Sequence, residues 1–128
     1  MQDKCSPKPK LEKRELVGAE QAGQLEELFK VLGNDTRIRL LHVLIREKEA
    51  PVNEIAEHLG MSAQAVSSHL QKLSLSGIVG SRRDGTFIYY RVLDPCVPIL
   101  LDLGFCLLEE REAKALGTLG ICNDGAKC

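Results

Sequence analysis

The sequence predicts a mainly α-helical fold carrying one small β-hairpin, and three observations predict it. Apolar residues recur at helical spacing in four successive stretches ahead of residue 76. The last two, VNEIAEHLG and SAQAVSSHLQKLSLSG, are short and meet at Gly60, which is the signature of a helix-turn-helix. The period then changes: IVGSRRDGTFIYYRV sets Asp84-Gly85 between two runs rich in β-formers, a strong hairpin signal. A helix-turn-helix followed by a hairpin is a winged helix, in the order α-α-α-α-β-β-α.

Each element has its own local reason. A first helix is expected from about 14 to 32, because Leu16, Val17, Ala22, Leu25, Leu28, Phe29 and Leu32 fall largely at helical spacing and Gly33 follows. Asn34 or Asp35 caps a second helix with the stripe Ile38, Leu41, Leu44 and Ile45, and Leu40 beside it. Residues 47–51 read as a turn. In the third helix Ile55, Ala56 and Leu59 face inward and Gly60 is the stop. Ser62 caps the fourth, whose inward stripe is Ala65 or Val66, Leu70, Leu73 and Leu75, with Gly77 ending it. After the hairpin, Asp94-Pro95 opens a last helix, and Pro98 suggests that its regular part starts only near there. Leu100, Leu101, Leu103, Phe105, Leu107 and Leu108 make that helix apolar over most of its surface. One small domain covers only part of such a helix, so the remainder predicts a two-fold homodimer. The expected organisation is a disordered arm over 1–13, one winged-helix and dimerisation domain over 14–116, and a flexible cysteine-containing tail over 117–128.

Composition sets limits on function. Hydrophobic content of 44% with 27% charged residues is that of an ordinary globular protein. No apolar run reaches the roughly 18 residues needed to span a membrane, and the polar N-terminus MQDKCSPKPKLEKREL lacks a secretory core, so a cytoplasmic location is expected. The net charge of −1 does not announce a nucleic-acid binder, but its distribution matters more. From 62 to 91 the charged residues are Lys72, Arg82, Arg83, Asp84 and Arg91, four positive against one negative, and His69 lies among them. No glycine-rich phosphate loop, nucleophile–base pair or catalytic zinc set is present, so no enzyme is expected, and no organic cofactor.

The stretches LGNDTRIRLLHVL (32–44), VNEIAEHLGMSAQAVSSHLQKLSLSGIV (52–79) and RRDGTFIYYRV (82–92) occur in the order and at the spacing of one known family. Over about residues 25–110 the chain resembles the ArsR/SmtB transcriptional repressors. The resemblance implies a homodimer that binds a two-fold operator in double-stranded DNA and is released by an inducer, often a metal or metalloid ion. The residue chemistry agrees. The recognition helix offers Ser62, Gln64, Ser67, Ser68 and His69 near its N-terminal half, suited to base edges and phosphates. Lys72 suits a phosphate, and Arg82 and Arg83 at the wing suit phosphates or the minor groove. Read alone, His69 is more at home bonding at the helix edge than ligating a metal.

The inducer site has to be argued residue by residue. The family's Cys-Val-Cys arsenic site corresponds here to Pro51-Val52-Asn53, which has no thiol. Its zinc site on the last helix needs histidines, and none follows His69; Asp94 and Asp102 alone make a poor zinc site. Five cysteines remain, Cys5, Cys96, Cys106, Cys122 and Cys128, an odd number grouped toward one end, which favours metal or redox chemistry over a disulfide scaffold. Thiolates select soft ions, and trivalent arsenic or antimony is the expected inducer, with other thiophilic metal ions as alternatives. Ten helical residues span about 15 Å, whereas two sulfurs sharing an ion lie within about 4 Å. Cys96 and Cys106 of one chain therefore cannot share an ion on one straight helix. Antiparallel last helices crossing near Leu101 would bring Cys96 to Cys106 of a second copy. A third sulfur could come from Cys122, with Cys128 and Cys5 behind it. Two other readings stand beside this one. The thiols could pack as small hydrophobes, or they could serve a redox or persulfide sensor of the same fold.

Overall fold

A computed structural model describes residues 8–115 of the chain. They divide into two compact units, one ending at Asp94 and the other beginning at Pro95.

The first unit opens with a 3-10 turn, Leu11–Lys13, inside the segment expected to be a disordered arm. Helix α1 follows at Ala19–Leu32. It starts later than periodicity suggested, because Gly18 takes the N-cap in an extended conformation and leaves Leu16 and Val17 outside the helix and exposed. Only Leu32 of α1 is buried. Helix α2 spans Asp35–Glu47, and the Asn34 side chain caps it by accepting from the Arg37 N–H. Its buried face is Arg37, Leu40, Leu41 and Leu44, rotated from the expected stripe, so that Ile38 and Ile45 are only half-buried.

The expected turn at 47–51 contains a short strand, β1, Ala50–Pro51. Helix α3, Val52–Leu59, ends on Gly60 at φ 65, a left-handed position where a Cβ would be strained. Ser62 then caps helix α4, Ala63–Leu75, its Oγ accepting from the Ala65 N–H at 3.1 Å. Val66, Leu70 and Leu73 face the core, but Leu75 is 82% exposed. Leu75 lies eleven residues after Gln64 and seven after Ser68, which puts it on the outer stripe of the helix and not the inner one.

Strands β2, Val79–Asp84, and β3, Phe87–Val92, form the hairpin, from the Val79–Val92 pair to Asp84 opposite Phe87. Its loop is Gly85-Thr86. Gly85 has φ 66 and Thr86 keeps a negative φ, so this is the turn type with glycine first, which matches strand twist. β1 adds antiparallel to the other side of β3 through Ala50–Tyr90 and Pro51–Tyr89, giving the order β1-β3-β2. The core of this unit is Leu40, Leu41, Leu44, Ile55, Val66, Leu70 and Leu73, all nearly free of solvent. At about 1.5–3 kcal/mol per buried side chain, this cluster fixes α4 against α2 and α3.

The second unit is helix α5, Cys96–Ala115. It begins at Cys96, earlier than Pro98 suggested, because a proline in the first turn sits where its missing N–H has no helical partner anyway. Val97 and Cys106 are its buried residues, while Leu103, Phe105, Leu107 and Leu108 are about half or more exposed. No described helix is long and apolar enough to cross a membrane. The expected tail over 117–128, with Cys122 and Cys128, lies outside the described residues, as does Cys5.

Candidate nucleic-acid interface and thiol site

Helix α4 presents one outer surface. Gln64, Ser67, Ser68 and Lys72 are exposed, and none of them bonds another described side chain. Gln64 and Ser68 are one turn apart on the same stripe, and Lys72 continues it. Ser62 is also exposed, but its oxygen is engaged in the cap. Its hydroxyl proton remains able to reach a phosphate.

His69 differs from these residues. It is half-buried at the edge of α4, where its Nδ1 accepts from Arg37 Nε at 3.3 Å. Burial, reinforced by the positive charges of Arg37 and Lys72 and opposed by Asp35, holds its pKa below the ordinary histidine value. Arg37 is itself buried and also donates from Nη1 to the Val31 carbonyl at 2.9 Å. Arg37 was not singled out from the sequence. An arginine three residues into a helix reads as a solvated charge, and only the tertiary placement of His69 reveals it.

The two wing arginines part company. Arg82 is held by both carboxylate oxygens of Glu49, with Nε 3.0 Å from Oε2, and its guanidinium lies 4.8 Å from the centre of the Tyr89 ring. The hydrogen bond to Arg82 holds the Glu49 carboxyl below the usual range, and the same bond raises Arg82. Arg82 thus ties the wing to the residue preceding β1. Arg83, across from Ile88 and next to the hairpin end, is exposed and makes no ion pair with any described residue.

Cys96 is exposed and Cys106 is 4% exposed. Neither is a free thiol: both are disulfide-bonded. Ten helical residues keep them about 15 Å apart, so the bond is not between them. Among the described residues no group of three or more His, Cys, Asp or Glu side chains could hold a metal ion. Cys96 and Cys106 are the cysteines among the described residues, and in reduced form their thiolates would suit soft ions better than the zinc that a histidine–carboxylate set takes.

Residues 32–82 match a helix-turn-helix domain family. The chain is 46% identical over 66 residues to the transcriptional regulator KmtR of Mycobacterium tuberculosis, covering 52% of this chain and half of KmtR. The structure of AntR, an antimony-specific transcriptional repressor, superposes with a TM-score of 0.71 at 49% identity, covering 85% of this chain and 98% of AntR. The homodimeric winged helix-turn-helix domain Mb0332 of Mycobacterium bovis, a possible ArsR-family regulator, gives 0.65 at 31% identity over 77% of this chain and 93% of that one. The chain belongs to the ArsR/SmtB family. As an ArsR/SmtB protein it is a DNA-binding transcriptional regulator and not an enzyme. Other members of the ArsR/SmtB family similar to this chain regulate cadmium and arsenic resistance.

Proposed function

We propose that this protein is a cytoplasmic, homodimeric repressor that binds a two-fold operator and leaves it when a thiophilic ion, trivalent antimony or arsenic, binds Cys96, Cys106 and Cys122. The observation that carries this reading is the state of Cys96 and Cys106. Both sit on α5 and, once reduced, offer the thiolates that a soft ion requires of its ligands. The 49% identity to AntR over nearly all of its length supports antimony as the first ion to try. When bound, the ion would supply the free energy that weakens operator binding, and the coupling is reciprocal.

The dimer follows from uncovered apolar surface. Helix α1 has 14 residues and buries only Leu32, leaving Leu25 and Phe29 about half exposed. Such a helix is marginal by itself. α5 leaves Leu103, Phe105, Leu107 and Leu108 open in the same way. A second copy covers both, as two-fold dimers commonly do. Operator reading falls to Ser62, Gln64, Ser67, Ser68 and His69, with Lys72 and Arg83 on phosphates and Arg82 setting the wing.

Antimonite and arsenite titrations of single Cys→Ser variants, read by release of operator DNA, test the site. Loss of release in Cys96→Ser and Cys106→Ser supports it, and a wild-type response from both removes it. The disulfides also favour a second reading, a redox sensor in which two thiols give up two protons and two electrons to an oxidant. Intact mass after oxidant, compared with mass after ion addition, separates the two.

A further inference from the structure

We infer that Arg37 is a positioning residue for operator recognition: it fixes the His69 ring so that Nε2–H stands as a directional donor at the edge of α4. This rests on the reading of α4 as the helix that meets the operator.

A guanidinium has donors only and does not lose its charge in proteins. The nitrogen facing it, His69 Nδ1 at 3.3 Å, must therefore offer a lone pair. In a neutral imidazole the proton then lies on Nε2, at the far side of the ring. Nε2 bonds no described residue, and no buried side-chain nitrogen or oxygen lacks a partner, so Nε2 reaches solvent. Purine N7, guanine O6, thymine O4 and phosphate oxygens are all acceptors, and a fixed N–H is complementary to them.

Arg37 can hold this position because it is itself held at three points. Its backbone N–H is on the Asn34 cap at 3.1 Å, its Nη1 on the last turn of α1 at Val31, and its Nε on α4. It is buried, so its side chain has little freedom to leave. The charges around the ring are Arg37 and Asp35 from α2 and Lys72 from α4; burial first, and then the two cations, favour the neutral imidazole, against Asp35. A neutral, oriented donor adds sequence discrimination, whereas a charged one would add mainly salt-dependent attraction.

Imidazole nitrogen NMR on the full chain at pH 7 reads the tautomer directly. The expected result is Nε2–H in wild type and a mixture of tautomers in Arg37→Met. Because loss of a buried arginine can unfold the chain, His69→Asn provides the second arm. The asparagine oxygen stands near the place of Nδ1 and still accepts from Arg37, but the distal donor is gone. Its melting temperature should match wild type, while the ratio of operator to non-operator affinity falls roughly tenfold. An Nδ1–H or charged ring in wild type overturns the inference alone, as does a wild-type affinity ratio in His69→Asn. The expected tautomer in a wild-type protein that shows no operator preference overturns the reading of α4 and the inference with it.

Discussion

Replacing Arg83 with alanine should lower the salt dependence of operator binding by about one phosphate contact, whereas removing Arg82 together with Glu49 should not. Arg83 is exposed on β2 beside the hairpin end and has no ion-pair partner among the described residues. Arg82 is already neutralised by Glu49 and packed on Tyr89. Deleting Arg82 alone would leave the Glu49 carboxylate unbalanced next to the DNA, so the informative variant is Arg82→Ala with Glu49→Ala, which leaves local charge unchanged. Each phosphate contact contributes about 0.9 to the slope of log affinity against log salt. Raising salt fourfold, from about 50 to about 200 mM, should therefore shrink the deficit of Arg83→Ala relative to wild type by about 3.5-fold. The double variant should keep the wild-type slope. Fluorescence anisotropy of a labelled operator across that range measures both. A double variant that loses about 0.9 in slope, or an Arg83→Ala protein that loses none, refutes the division of labour.

Leu70→Ala should cost about 2–5 kcal/mol in urea unfolding, because Leu70 is fully enclosed between α4 and the helices beneath it, whereas the exposed Leu75→Gln should change stability by less than about 0.5 kcal/mol. Equal losses in the two would contradict the orientation of α4. His69 contributes a pH dependence of known sign. Its pKa is lowered on folding, so the unfolded chain takes up the proton first as pH falls. That contribution is present above the ordinary histidine value of about 6.5 and is lost as pH drops through the folded value. The melting temperature should fall between pH 7.5 and 5.5 more in wild type than in His69→Asn, and parallel curves would reject this assignment. Glu49 acts in a more acid window. Its folded pKa lies below the usual carboxylate value, so its contribution is lost only as pH falls through that lower value, and Glu49→Gln should flatten that part of the curve.

Much of the fold was legible because its signals are local. Gly60, the Ser62 cap and Asp84-Gly85 each declare themselves within a few residues, and the helix-turn-helix and wing follow from them. What was missed is non-local. Ala50–Pro51 is too short to show an alternating pattern, and only its pairing with Tyr89 and Tyr90, forty residues on, makes it a strand. The Arg82–Glu49 pair spans 33 residues and the Arg37–His69 bond 32, so neither has a sequence period. Leu75 reads as part of the inner stripe because it is apolar, although by that point the helix has turned it outward. For the cysteines, spacing sufficed to show that Cys96 and Cys106 do not meet along α5. That both are disulfide-bonded was not legible, since bonding depends on where the rest of the chain brings its sulfurs.

We propose above that a thiophilic ion bound at the cysteines makes this winged-helix protein release its operator. Operator binding by the reduced protein at fixed salt, titrated with antimonite, arsenite, mercury, cadmium, lead and zinc, tests this. Antimonite or arsenite should release the DNA and zinc should not. Release by zinc alone, or by none of the ions, would rule out a soft-ion inducer bound at the cysteines.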